Sequence, residues 1–126
     1  MKKICLLGAL LATLVSTTVF AHHGNAAFAL GETRELKGSV TEWVWANPHC
    51  WLKFDVTDEA GNTVNWVVEA TNSADLMERG WSRSMFKAGD QVTVRLEPVK
   101  NGAPVGRVRS ITLPNGDIVG TNYVPR

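Results

Sequence analysis

The stretch Cys50 to Val56 constrains the fold of this chain more than any other. Cys50, Leu52, Phe54 and Val56 occupy every second position, with Trp51, Lys53 and Asp55 between them. Successive side chains of a strand point to opposite faces, so this period of two predicts a half-buried β-strand rather than a helix. Four more segments carry a strand signal. Glu35 to Trp45 is rich in Val, Thr and Trp, and Thr63 to Glu69 sets Val64, Trp66 and Val68 on one side. Gln91 to Glu97 turns Val92, Val94 and Leu96 inward, and Val105 to Leu113 reads as a fifth strand. Alternation is imperfect in the first of these, where Val40 and Val44 share a face with Glu42 between them. A bulge near Gly38 would repair it.

The connections are equally legible. Ala46-Asn47-Pro48 ends the first strand, because Pro48 lacks an N–H and biases Asn47 away from helix. Residues 58–62 and Asn101-Gly102 read as turns. Asn115-Gly116 has the sequence of a two-residue type I′ hairpin turn, leading to a short sixth strand over Asp117 to Val119. Between the third and fourth strands, Asn72-Ser73 is a helix cap, Ser73 to Arg79 a short helix and Gly80 its stop. Ser82 to Lys87 reads as a further turn of helix. Short strands in this order, with a helix after the third, predict an all-β chain of small α content: an OB-like Greek-key β-barrel of five to six strands. A β-sandwich is the alternative.

Ahead of the barrel lie two segments of different character. Lys2 and Lys3, an apolar run from Ile4 to Val15, and Val19-Phe20-Ala21 together have the form of a secretory signal peptide cut after Ala21. An uncleaved anchor is the competing reading, weakened by Thr13 and by Ser16-Thr17-Thr18. The expected plan is therefore a signal peptide over 1–21, an Ala- and Gly-rich arm over 22–34 without strand period, and one domain over 35–126, periplasmic or secreted. The 126 residues less the 21 of the leader leave 105, enough for a core without staples. The leader takes two of the thirteen basic residues, leaving eleven against twelve acids. That balance argues against a nucleic-acid partner, and Arg107 and Arg109, alternating on one strand face, are too few to change it. No membrane association is expected after cleavage. Of the two cysteines, Cys5 leaves with the leader, so Cys50 can form no internal disulfide. It lies on the apolar face and reads as a small core residue.

No Walker loop, dinucleotide fingerprint, nucleophile elbow or Cys-x-x-Cys is present. The chemical lead is His22-His23-Gly24. Cleavage after Ala21 would give His22 a free α-amine beside its imidazole, and those two nitrogens can chelate one metal ion. A third nitrogen from His49, presented by the Pro48 turn, would complete a T-shaped or square-planar set, the geometry of Cu(II) rather than zinc. His23 could instead bind through its imidazole and backbone amide. Position three is Gly24, so the motif that places a histidine third in the chain is missing. The plainer alternative leaves His22 and His23 solvated and His49 bonded to its own turn. Copper is thus the one cofactor the residues suggest. Metal carriage or support of a redox partner is favoured over an oxygen- or peroxide-activating copper brace.

All five tryptophans lie beyond the leader. Trp43, Trp45 and Trp51 flank the Asn47-Pro48-His49 turn, and Trp51 falls opposite Leu52 and Phe54. Exposed aromatics stack on ligands or partner side chains, which makes Trp43, Trp51 and Trp81 candidates for contact with a partner in the envelope, without metal. The commoner fate of such residues is to wrap and fill the barrel. Glu69 ends an apolar strand with no visible partner, so no catalytic role attaches to it. The oligomeric state is open.

Several stretches carry a family likeness. His22-His23, Ala27-Phe28, Leu36 to Val40, Trp45-Ala46-Asn47-Pro48-His49-Cys50-Trp51, Asn65 to Glu69, Arg79 to Arg83 and Lys87 to Asp90 resemble a family of small exported bacterial proteins of unknown function (domain of unknown function 6152). The likeness runs from His22 to about Leu113. The Asn-Pro-His-x-Trp and Arg-Gly-Trp elements are its more specific ones, and the paired histidines look like a family feature. Members usually carry serine after the histidine pair, where this chain has Gly24. The resemblance implies export and a similar fold, and it supplies no activity.

Overall fold

A computed structural model describes residues 25–121. A 3-10 turn, Asn25–Ala27, precedes six strands: β1 (Arg34–Val44), β2 (Trp51–Thr57), β3 (Thr63–Glu69), β4 (Gln91–Pro98), β5 (Val105–Thr112) and β6 (Ile118–Gly120). One helix, α1 (Ser73–Glu78), lies between β3 and β4. The strands run in the order β3-β2-β1-β4-β5-β6. A parallel pairing of β3 with β5 closes the first five into a barrel, and β6 extends β5. This is the expected OB-like barrel with its helix in the expected place, and the sandwich does not form.

The interior follows from the alternation. Val40, Leu52, Phe54, Val68, Val92, Val94, Leu96, Val108 and Ile111 fill it, all nearly solvent-free. Each such side chain contributes roughly 1.5–3 kcal/mol on leaving water. α1 adds its one buried residue, Leu76, to this core. Asn72 caps it by accepting a hydrogen bond from Asp75 N at 2.9 Å, the role its side chain suits.

Three expectations are corrected. The β1 bulge falls between Val40 and Glu42, at Thr41, rather than near Gly38. Gly38 serves another purpose, because a Cβ there would lie 2.3 Å from the Asp55 carbonyl oxygen and 2.8 Å from the Phe54 ring. The Asn115-Gly116 turn has three loop residues rather than two. Leu113 N donates to Asp117 O and Gly116 N to Leu113 O, with Gly116 at φ 90°. The 58–62 hairpin repeats this pattern, with Gly61 at φ 86°. Finally, Ser82 to Lys87 forms turns and not a helix, its Phe86 side chain drawn into the core.

Gly38→Ala is expected to lower unfolding free energy by about 2–3 kcal/mol, because the added methyl meets backbone that cannot yield. Gly61→Ala, which meets no atoms within 4 Å, should cost only about 1 kcal/mol from its left-handed φ. Urea unfolding of both variants checks the order; equal costs would mean that the close approach at Gly38 relaxes freely.

Candidate functional site

Strand register assembles one row of polar residues. Trp51 of β2 pairs with Glu69 of β3, Glu69 with Arg107 of β5, and Arg107 with Glu97 of β4. Register partners share a face. Since Leu52, Val68, Leu96 and Val108 point inward, this row lies on the outer wall of the barrel. His49 sits two residues before Trp51, just ahead of β2.

At one end of the row His49 meets Glu69. Its Nδ1 lies 2.9 Å from Glu69 Oε1 and 3.2 Å from the Ala70 carbonyl oxygen. Both neighbours are acceptors, so Nδ1 carries the proton and donates, and in the neutral ring Nε2 holds the lone pair. A carboxylate fixing a histidine's tautomer and orientation in this way is the arrangement found behind metal-ligating histidines. Both side chains keep partial access to solvent, 34% for His49 and 23% for Glu69. The Trp51 ring stands edge-on to the imidazole, 6.3 Å between centroids. The local chain is tied down by Asn47, whose Oδ1 accepts from Ser73 N and Oγ. Bonds from Cys50 N to Thr71 O and from Ala70 N to Cys50 O complete the tie.

Glu69 therefore has the partner that the linear sequence did not reveal. Counting outward from the 58–62 hairpin would have placed Trp51 opposite Glu69, and His49 near it. Cys50 diverges from His49 as the strand alternation requires. It is fully buried, and its Sγ donates to the Ala46 carbonyl at 3.4 Å. Burial raises its thiol pKa above the ordinary value, outweighing the opposing Ala46 hydrogen bond and Arg83 charge.

The other end of the row is an ion cluster that sequence reasoning missed. Glu97, 4% exposed, accepts from Arg107 Nη2 at 2.8 Å and also from Arg109 Nη2. Arg109 is the extra residue of a bulge in β5, where Leu96 pairs with Val108 and Arg95 with Ser110. The bulge re-aims it towards the same carboxylate as Arg107. The arm covers the cluster. Phe28 bridges to Val99, and its ring centroid lies 4.5 Å from the Arg107 guanidinium carbon. Burial alone would raise the Glu97 carboxyl pKa, but the hydrogen bonds and charges of Arg107 and Arg109 hold it below the usual carboxylate range.

The other expected site residues are placed as follows. Trp51 is half-buried on the outer wall beside His49. Trp43 is partly buried, packs within 5.1 Å of Phe86 and 6.0 Å of Trp81, and donates Nε1 to the Ser82 carbonyl. Trp81 is in the core at 2% exposure, with Nε1 donating to Gly120 O. Its side chain can support a neighbouring surface but presents little of its own. His22 and His23 lie outside the described residues, as does the expected signal peptide. Among the described residues no group of three or more His, Cys, Asp or Glu side chains is placed to hold a metal ion. A site at His49 with the expected set would thus draw its remaining ligands from His22 and His23.

These features define a small closed OB-type barrel that bears a carboxylate-oriented histidine and an arm-covered ion cluster on its outer wall. Residues 10–109 match the family of unknown function DUF6152, and the chain belongs to that family. Comparisons with curated proteins and with solved structures gave no match.

Glu97→Gln is expected to cost about 3 kcal/mol at neutral pH, since it leaves buried guanidinium charge without its counter-ion. The pH dependence follows from the depressed carboxyl. Stability from the charged carboxylate is fully present above the unfolded-state pKa of about 4.3 and is lost as pH falls through the lower folded value. The stability gap between wild type and Glu97→Gln should therefore narrow below about pH 4, as read by urea unfolding at stepped pH. A gap that stays constant down to pH 2 would show that Glu97 is not ionised in the folded barrel.

Proposed function

We propose that this chain is an exported periplasmic copper-binding module, in which His49 joins nitrogens of the mature N-terminal His22 and His23 to hold Cu(II). The carrying observation is the His49–Glu69 pair. Its Nδ1–H is committed to Glu69 and Ala70, so the ring would ligate through Nε2. The Glu69 carboxylate would make that nitrogen a better donor. The α-amine and imidazole of His22 would supply a chelate, and imidazole and amine donors suit Cu(II) by the ordinary affinity order of divalent metals. The role of such a module is metal carriage or support of a redox partner, with no reaction of its own.

Trp51 favours a second reading. It lies at the surface beside His49, and an aromatic there can dock an envelope protein without metal.

Cu(II) titration of the chain beginning at His22, against a competing chelator, separates the two. His49→Ala and His22→Ala should each weaken binding at least tenfold, and Glu69→Gln by about 10–100-fold. Equal affinity in all four proteins removes the copper site. The second reading then predicts that Trp51→Ala lowers recovery of an envelope partner while leaving the fold unchanged.

A further inference from the structure

We propose that a cleft on the outer wall of β1, β4 and β5 binds a small organic acid, a single carboxylate carried on an apolar body. Lys37, Thr93 and Thr112 receive the carboxylate, and Leu113 and Pro114 hold the body. The inference is independent of the copper reading, because none of the residues lining this cleft belongs to the row that carries His49 and Glu69.

Strand register builds this cleft. Lys37 of β1 pairs with Thr93 of β4, and Thr93 with Thr112 of β5, so polar side chains from three neighbouring strands share one face. That face is outward, because Val92, Val94 and Ile111, which alternate with them, are buried in the barrel. The cleft has a volume of about 480 Å³, within the ~300–1,000 Å³ of ordinary small-molecule sites. Leu113 and Pro114, which lead out of β5, add apolar surface, and Gln91 adds an amide. A mostly apolar hollow with a few convergent polar groups is the form that such sites take.

The polar groups define the ligand. Lys37 is the only charged residue that lines the cleft. Its ammonium and the two threonine hydroxyls are donors that can converge on one oxyanion. Nearby acids are occupied elsewhere: Lys87 lies 3.5 Å from Asp90, and Asn115 donates to Asp117 at 2.8 Å. Glu35 and Arg95, one rung further along the same wall, pair in register and carry opposite charges. One uncancelled positive charge suits a monoanion, whereas a dianion would leave charge uncompensated at the wall. The apolar lining in turn favours a ligand whose other end is hydrocarbon, since both surfaces leave water together. A carboxylate on a compact apolar body meets both conditions.

The test is a backbone-amide NMR titration of the metal-free chain beginning at His22, with benzoate as the probe. Benzyl alcohol keeps the body without the charge, acetate the charge without the body, and inorganic phosphate brings a second charge. Wild type should show saturable millimolar binding of benzoate, with the largest shifts at Lys37, Thr93, Thr112 and Leu113. Each of the other three compounds should bind at least about tenfold more weakly. Lys37→Met keeps the stem without the charge and should weaken benzoate binding about tenfold. Lys37→Arg should retain most of the affinity, and Thr93→Val should lose about three- to tenfold. The same spectra report whether each variant is folded, and if Thr93→Val is not, Lys37→Met decides alone. Absence of saturable shifts, shifts centred on other residues, or wild-type affinity in Lys37→Met would each overturn the proposal. Equal affinity for benzyl alcohol would show that the cleft reads no charge, and equal affinity for acetate or phosphate that it reads no body; either result overturns the assignment. Failure here leaves the copper titration as it stands, since Lys37→Met does not touch His49 or Glu69.

Discussion

Val67 with Val105, Val68 with Gly106 and Glu69 with Arg107 are the three pairs that close the barrel, and the outer wall is organised by them. A parallel seam this short is a weak unit alone. It persists because β2 and β4 hold the two strands from their other sides. Gly106 makes the approach possible, since a Cβ there would lie 2.7 Å from both the Glu97 carbonyl oxygen and Leu96 Cδ1. The same three pairs put the end of β3 beside the start of β5, so residues far apart in sequence become one row. Closure joins Glu69 to Arg107, and the β2–β3 and β4–β5 pairings bring His49 and Glu97 to the two ends of the same row.

The cluster at the end of that row is costly by itself. The Arg107 guanidinium and the Glu97 carboxylate are removed from water, with Arg109 partly exposed beside them, and a buried ion pair of this kind adds little net stability over apolar packing. Its geometry has a different consequence. Glu97 fixes the plane of Arg107, and a fixed guanidinium plane offers one flat cationic face outward. Phe28 lies on that face. A lysine in place of Arg107 would present a point charge with no plane, and would leave the ring without a matching surface. The ion cluster therefore specifies where the arm attaches more than how stable the barrel is.

Much of the fold was legible in the sequence because one-sided burial writes a period of two into each strand. β3 was bounded to the residue, and the inward sets of β2 and β4 were read correctly. Failures occurred where local chemistry had two outlets. Gly38 looked like a bulge residue, but glycine also permits close approach, and the bulge went to Thr41. Asn115-Gly116 suits a two-residue turn, yet Pro114 joins the loop, with Gly116 at positive φ. Residues 82–87 gave up helix so that Phe86 could meet Trp43 and Trp81. The candidate site was legible only in part. His49 stood out by its turn, but Glu69 and Glu97 acquire partners across strands, and outward-facing charges give no apolar period to signal their burial.

Alternation also governs which metals the wall can serve. Cys50 follows His49 directly, and a soft thiolate beside an imidazole would favour Zn or Cu(I). The strand turns the two side chains to opposite faces, and Cys50 ends in the core with its thiol bonded to Ala46 and its pKa raised by burial. It cannot join His49 without turning the start of β2 over, which would expose its apolar face to water. What remains on the outer wall is nitrogen and carboxylate oxygen, borderline to hard donors. Glu69 is already engaged with Nδ1 of the ring, so it would act on a metal through His49 and not as a ligand. A metal at this wall would then be selected by imidazole and by whatever nitrogens the arm delivers, which is the donor set for which Cu(II) outranks the other divalent ions.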